Sequence, residues 1–70
     1  MIRCVIIDDE KPFINTLRAM LKRQEDLMVI GEARSVQSGV KLIHELEPDL
    51  VFLDIQMSDG TGFDLQGARP

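Results

Sequence analysis

The fold is decided by the stretch PDLVFLDIQM, residues 48–57, in which the apolar run LVFL ends on one aspartate, Asp54. The run Leu50–Leu53 shows no alternation of apolar and polar residues, which predicts a short strand covered on both faces. After Asp54 the chain becomes rich in Ser, Asp, Gly and Thr, which predicts a loop. A buried strand that ends on a carboxylate raises the question of what that carboxylate does.

A second stretch of the same kind lies at the N-terminus. Ile2–Ile7, with the sequence IRCVII, is short, apolar and β-branched, and it is followed by Asp8 and Asp9. This pattern predicts another buried strand. Leu27–Ala33 predicts a third strand, and its Gly and Glu favour a less buried position at the edge of a sheet.

Two amphipathic helices are predicted between these strands. The first runs from Pro12 to about residue 24, because proline suits the first helical turn and apolar residues recur on one face: Phe13, Ile14, Leu17, Met20 and Leu21. The second follows Ser35, whose hydroxyl can cap it, and ends before Pro48. Strands that alternate with helices predict one α/β domain over residues 1–70, with parallel pairing.

The composition excludes several classes of function. The formal net charge is −4 and the chain has no Trp or Tyr, so direct contact with nucleic acid is not expected. No apolar run approaches the ~20 residues that span a bilayer, and the N-terminus lacks the form of a secretory signal. We therefore expect no membrane contact and a cytoplasmic location. The single cysteine, Cys4, is predicted to be a small core residue.

Three aspartates are predicted to meet at one edge of the sheet. Parallel strands all end at the same edge, so Asp8, Asp9 and Asp54 converge there if the strands before them are neighbours. Close carboxylates repel one another, and an all-oxygen set of ligands favours a hard cation, for which Mg2+ is the best match. Each aspartate alone is also explained as a helix cap or a turn former, but matching ends of two buried strands favour a site.

The motifs CVIIDDE, PDLVFLDIQM and GTGFDL, in this order, resemble the receiver domain of bacterial two-component response regulators. The likeness is closest to receivers that are joined to a LytTR-type DNA-binding domain. It covers Met1 to about Leu65 and fades over residues 66–70. It implies a flavodoxin-like fold with parallel strands in the order 2-1-3-4-5. This chain would supply a partial fold, in the order 2-1-3, with strands four and five of the family missing.

The resemblance also implies roles for single residues. Asp54 would accept a phosphoryl group from the phosphohistidine of a sensor histidine kinase. Asp9 would bind Mg2+ directly, Asp8 would act largely through water, and the backbone carbonyl of Gln56 would complete the protein's ligands. A carboxylate is a poor nucleophile toward an anionic phosphoryl group unless a cation neutralises the oxygens, so the physical chemistry agrees with these roles.

The length departs from the family pattern. The Ser or Thr that ends strand four and the Lys that ends strand five of a receiver would lie beyond Pro70. We therefore expect a truncated receiver whose phosphorylation is impaired, and transcription regulation would depend on a LytTR output domain that is missing here. The outer edge of the strand Leu50–Leu53, the third in chain order, would be open, so we expect self-association or pairing with other receivers along it.

Other functions remain open at this point. The chain could be a non-catalytic interaction fragment, or an inactive remnant, that pairs with receivers whether or not Asp54 and Mg2+ are present. The triplet Asp59-Gly60-Thr61 suggests a phosphatase of the haloacid-dehalogenase type, but that chemistry needs a second aspartate where Gln56 stands. A calcium EF-hand fails because Asp59 occupies the position that needs glycine. We expect a signalling domain and not an enzyme.

Overall fold

The computed structural model describes residues 1–54, 56–57 and 60–61. In chain order these residues form β1 (Ile2–Ile7), α1 (Lys11–Leu21), β2 (Leu27–Ala33), α2 (Val36–Leu46), β3 (Leu50–Leu53), β4 (Gln56–Met57) and β5 (Gly60–Thr61). β1, β2 and β3 form one parallel sheet in the order β2-β1-β3. The predicted α/β architecture, a partial flavodoxin-like fold with strand order 2-1-3, is confirmed.

β1 is the centre of the fold. Its last four residues, Cys4–Ile7, are at most 1% exposed. Val5 and Ile7 belong to the core on the α2 face of the sheet, and Cys4 and Ile6 belong to the core on the α1 face. With a strand on each edge and a helix on each face, neither face of β1 is exposed to water, which explains why its sequence is apolar without alternation.

Cys4 is one of these core residues, as predicted. Its Sγ donates a weak hydrogen bond to the carbonyl oxygen of Met28, at 3.4 Å. Burial raises the pKa of the Cys4 thiol above its ordinary value of 9.0, against a smaller opposite effect of the charge of Arg18. The thiol therefore stays protonated near neutral pH and behaves as an apolar side chain.

α2 begins as the sequence predicts and packs closely on the sheet. The Oγ of Ser35 accepts a hydrogen bond from the N–H of Ser38 at 3.1 Å, which caps the first turn. Gly39 is the point of closest approach, since a Cβ at this position would lie 3.0 Å from Cδ1 of Ile7. The missing side chain of Gly39 thus lets α2 settle on the strand that leads into Asp8.

The end of α2 is tied to the start of β1. The guanidinium of Arg3 donates hydrogen bonds to the carbonyl oxygens of Leu46, at 2.7 Å, and Glu47, at 3.2 Å. The N–H of Arg3 donates to Oδ2 of Asp49 at 2.9 Å, and the N–H of Asp49 donates to the carbonyl oxygen of Arg3 at 2.8 Å. A cation is well placed at this end of a helix because it satisfies the last carbonyl groups and opposes the helix dipole.

α1 is shorter than predicted. It ends at Leu21 instead of near residue 24, and the chain then reverses to begin β2. The N–H of Gln24 donates to the carbonyl oxygen of Leu21 at 2.9 Å, and the N–H of Ile2 donates to that of Asp26 at 2.7 Å. The second bond brings Leu27 beside Ile2, where the pairing of β1 and β2 starts. Strand pairing therefore decides where this helix ends.

The apolar face of α1 is also only partly covered. Ile14 and Leu21 are buried, but Phe13 is 53% exposed and Met20 is 60% exposed. α1 packs mainly on β1 and β2, and Phe52, the β3 residue on this face, is only partly buried against the same core. Phe13 and Met20 lie on the predicted apolar face of the helix, but that face is not buried at these two residues.

The segment after Asp54 differs from the predicted loop. β4 and β5 pair antiparallel, with Gln56 opposite Thr61 and Met57 opposite Gly60. The prediction of an unpaired loop was wrong for these four residues, since a segment that folds back on itself can satisfy its own backbone groups. The expected fading of the family pattern over residues 66–70 lies outside the described residues. Within the described ranges, no helix has the length and apolar character needed to cross a membrane.

Glu47 ends α2 in the left-handed conformation, with φ 46° and ψ 60°. A residue with a Cβ is strained there, whereas glycine is not. We expect Glu47→Gly to raise the free energy of unfolding by about 0.5–1 kcal/mol, measured by urea denaturation at neutral pH. Glu47→Ala keeps the Cβ and is the control. An equal gain in both variants would assign the effect to the lost charge and contradict the backbone explanation.

Candidate functional site

The backbone places Asp8 and Asp54 side by side. Each follows directly on a strand, and the last residues of those strands, Ile7 and Leu53, are opposite each other in the parallel register. The N–H of Asp54 donates to the carbonyl oxygen of Ile7 at 3.0 Å, and the N–H of Asp8 donates to that of Ala33 at 3.0 Å. The main chains of the three strands therefore fix the aspartates at the carboxyl edge of the sheet, where ligands bind in open α/β folds.

The three predicted aspartates form one cluster. One carboxylate oxygen from each of Asp8, Asp9 and Asp54 lies within 4.8 Å of the other two. Asp8 is 6% exposed, and Asp9 and Asp54 are half-buried. An oxygen set this compact and partly withdrawn from water can bind a small divalent cation, and such a cation would offset the repulsion among the three charges.

Asp8 also holds the first turn of α1 in place. Its Oδ1 accepts a hydrogen bond from the N–H of Glu10 at 2.9 Å. The carbonyl oxygen of Glu10 accepts hydrogen bonds from the N–H groups of Phe13 and Ile14, at 3.1 and 3.2 Å. One oxygen of the Asp8 carboxylate thus joins the acidic turn to the helix. Glu10 contributes to the start of the helix and is not a member of the cluster of three.

The donor set fits Mg2+. All three side chains offer carboxylate oxygens, the ligands that this hard ion prefers, and three protein ligands leave room for the waters that it usually keeps. Gln56 begins β4, two residues after Asp54. Its role as a ligand through the backbone carbonyl stays a prediction.

An apolar groove leads away from the cluster. It has a volume of about 670 Å³ and lies between α1 and β3. Its apolar lining consists of Ile6, Ile7, Phe13, Leu17, Phe52 and Leu53, and it reaches the acidic residues Asp8, Glu10 and Asp54. We call it the α1–β3 groove. The sequence did not predict this groove, because the helical spacing that includes Phe13 is the same whether that face of the helix is covered by other elements or exposed.

The two basic residues of α1, Lys11 in its first turn and Arg18 in its last, are held away from the cluster. The Nζ of Lys11 donates a hydrogen bond to Oε1 of Glu32 on β2, and a guanidinium nitrogen of Arg18 lies 3.2 Å from Oε2 of the same carboxylate. β2 and β3 are on opposite sides of β1, so this ion-pair network and Asp54 are separated by the central strand. The basic residues of α1 are thus partly anchored to the sheet.

The network lowers the pKa of Glu32. The hydrogen bond from Lys11 is the main cause that holds the pKa of Glu32 below its ordinary value of 4.5, and the charges of Lys11, Arg18 and Arg34 add to the effect against the opposing effect of burial. A lowered pKa means that the folded chain favours the ionised form. The stabilisation is therefore present above pH 4.5 and is lost as the pH falls through the lower folded-state pKa.

We expect Glu32→Gln to lower the free energy of unfolding at pH 7 by about 0.5–1 kcal/mol, because the ion pairs are partly exposed. At pH 3 the difference between variant and wild type should shrink toward zero. Urea denaturation at both values of pH measures it. Glu25→Gln, on an exposed residue, is the control. A loss that is the same at pH 3 and pH 7 would show that packing, and not charge, stabilises this contact.

The sequence matches the family described as "Response regulator receiver domain" over residues 4–68, and the chain belongs to this family. The "Transcriptional regulatory protein BtsR" of Escherichia coli is 39% identical over 67 residues, which are 96% of this chain and 28% of BtsR. The "Sensory transduction protein LytT" of Bacillus cereus is 37% identical over 65 residues, which are 93% of this chain and 26% of LytT. The response regulator domain of Thermotoga maritima CheB superposes with a TM-score of 0.92 at 28% identity, over 97% of this chain and 51% of that one.

These likenesses confirm the resemblance seen in the sequence motifs, including the link to LytTR-type regulators that LytT represents. Receiver domains are signalling domains and not classical enzymes; they generally bind Mg2+ and are phosphorylated by sensor histidine kinases. The chain spans 26–28% of the length of these two curated relatives. The activities and partners of the whole proteins are therefore matters of proposal for this chain.

Proposed function

We propose that this chain is a phosphoacceptor of a two-component system, in which Asp54 takes a phosphoryl group from a sensor histidine kinase. The observation that carries the proposal is the cluster of Asp8, Asp9 and Asp54, with one oxygen of each within 4.8 Å of the others at the ends of two neighbouring strands. The proposed ligands of Mg2+ are the carboxylates of these three aspartates and the backbone carbonyl of Gln56. Such a domain works in the cytoplasm, where it meets the kinase.

Each residue of the site has a separate part in this chemistry. An Asp54 carboxylate oxygen forms a bond to phosphorus, the P–N bond of the phosphohistidine breaks, and the imidazole leaves with the electron pair and takes up a proton. Bound Mg2+ supplies positive charge that offsets the charge of the phosphoryl oxygens. The hydrogen bond from the Asp54 N–H to the Ile7 carbonyl oxygen fixes the backbone of the nucleophile on the sheet. Little orientational freedom of Asp54 therefore has to be given up when the phosphoryl donor binds.

Treatment of the chain with Mg2+ and acetyl phosphate tests the proposal without a kinase. We expect the intact mass to increase by one phosphoryl group, because the small donor needs only the acidic site, with acetate as the leaving group. Asp54→Asn should show no increase, since an amide is not a nucleophile here. Asp26→Asn, in the exposed turn before β2, is the matched control and should be phosphorylated like the wild type.

Two results would contradict the proposal. One is an added mass that persists in Asp54→Asn, because the phosphoryl group would then lie elsewhere. The other is no added mass in the wild type while circular dichroism shows a folded chain. That second result, together with binding to an intact receiver that Asp54→Asn does not weaken, would favour the non-catalytic interaction fragment.

Mg2+ should also stabilise the folded chain, because the three carboxylates are brought together only by folding. At a Mg2+ concentration about 100 times the dissociation constant, the expected gain is about 2.7 kcal/mol in the free energy of unfolding. Asp9→Asn should lose most of this gain and Asp26→Asn should keep it. The measurement is urea denaturation with and without MgCl2, at constant ionic strength. Equal gains in wild type and Asp9→Asn would place the bound ion outside the cluster.

A further inference from the structure

Glu32 is held by two cations of α1, and each of them takes a different oxygen of its carboxylate. The Nζ of Lys11 donates a hydrogen bond to Oε1, and a guanidinium nitrogen of Arg18 lies 3.2 Å from Oε2. Lys11 is in the first turn of α1 and Arg18 is in the last. The two contacts therefore fix the carboxylate along the helix, with Oε1 turned toward the end of α1 that follows the acidic residues.

Glu32 and the cluster of three aspartates lie at the same edge of the sheet. The N–H of Asp8 donates to the carbonyl oxygen of Ala33, the residue that follows Glu32 on β2. Asp9 is only two residues before Lys11 in the chain. The Lys11 ammonium therefore has two sets of carboxylates in its neighbourhood, and it binds the one on β2.

A lysine that binds the aspartates would compete with a divalent cation. Its ammonium would neutralise part of the same negative charge, and two cations at one site repel each other. While Lys11 is paired with Glu32, the two charges offset each other and the aspartates keep their full charge. The side chain of Glu32 is 26% exposed, so salt and water screen this pair less than they screen a fully exposed one.

We propose that Glu32 keeps the Lys11 ammonium away from the three aspartates and so preserves their affinity for Mg2+. Glu32 is therefore a positioning residue, because it is not among the proposed ligands and acts through Lys11. Arg18 supports the arrangement by holding the other oxygen of the carboxylate. The inference rests on the proposed function, since it needs the cluster to bind Mg2+.

A direct effect of the Glu32 charge on the bound ion is the alternative explanation. Any carboxylate near a divalent cation favours its binding, whichever partner that carboxylate has. The two explanations differ in the part that Lys11 plays. A direct effect is the same with or without Lys11, whereas the proposed effect exists only while Lys11 carries its charge. A double-mutant cycle separates the two.

The first test measures the dissociation constant for Mg2+ by isothermal titration calorimetry in the wild type, Glu32→Gln, Lys11→Gln and the double variant. We expect Glu32→Gln to weaken Mg2+ binding by about threefold to tenfold, because it releases one positive charge beside a divalent site. When Lys11→Gln is already present, the same substitution should change the constant by less than about 1.5-fold. Arg18→Gln is the control, and its effect should stay below about twofold because Lys11 keeps its partner.

Equal costs of Glu32→Gln with and without Lys11 would overturn the inference, because Lys11 would then have no part in the effect. The absence of any cost in either case would overturn it as well. A folded wild-type chain that binds no Mg2+ would contradict the proposed function, and this inference with it. Circular dichroism establishes that each variant is folded, and if Glu32→Gln is not, the second test decides.

The second test locates the Lys11 ammonium in the wild type, without Mg2+. A water-soluble carbodiimide joins an amine to a carboxylate that it contacts, and peptide mapping by mass spectrometry identifies the linked pair. We expect Lys11 to be linked to Glu32 in the wild type, and to the acidic turn before α1 in Glu32→Gln. A wild-type link from Lys11 to an aspartate of the cluster, or the absence of a link to Glu32, would overturn the inference and would leave the phosphorylation of Asp54 untouched.

Discussion

The structure depends on one constraint: the burial of β1 with strands along both of its edges. Cys4–Ile7 are almost inaccessible to water, so every backbone group in this stretch needs a partner from a neighbouring strand. β2 and β3 supply these partners, and the chain must place both parallel to β1, with a helix in each crossover. The position of Asp54 beside Asp8 follows from this pairing and needs no contact between their side chains.

The features that the sequence predicted well are those set by this constraint. Apolar runs followed by acidic residues identified β1 and β3. The alternation of strands and helices predicted parallel pairing, and parallel pairing brings Asp8, Asp9 and Asp54 to the same edge of the sheet. Ser35 signalled the start of α2 because its hydroxyl bonds locally. These inferences work because strand burial and helix capping are determined by residues that are close together along the chain.

The features that the sequence did not predict depend on distant parts of the molecule. The exposure of Phe13 is decided by what lies over β3, and a helical spacing carries no information about that. The end of α1 depends on the hydrogen bond between Ile2 and Asp26, which starts the pairing of β2 with β1. The partners of Lys11 and Arg18 depend on the strand order. In each case the decisive contact joins residues that local patterns treat separately.

The position of β1 has a consequence for synthesis on the ribosome. Arg3, close to the start of β1, donates its N–H to the side-chain carboxylate of Asp49 and accepts a hydrogen bond from the Asp49 N–H, 46 residues later. At about 5–20 residues per second, translation separates the two by roughly 2–9 s. During that interval the β-branched apolar segment β1 still lacks β3, one of its two partner strands. The most buried strand of the sheet thus completes its pairing only after β3 has been made.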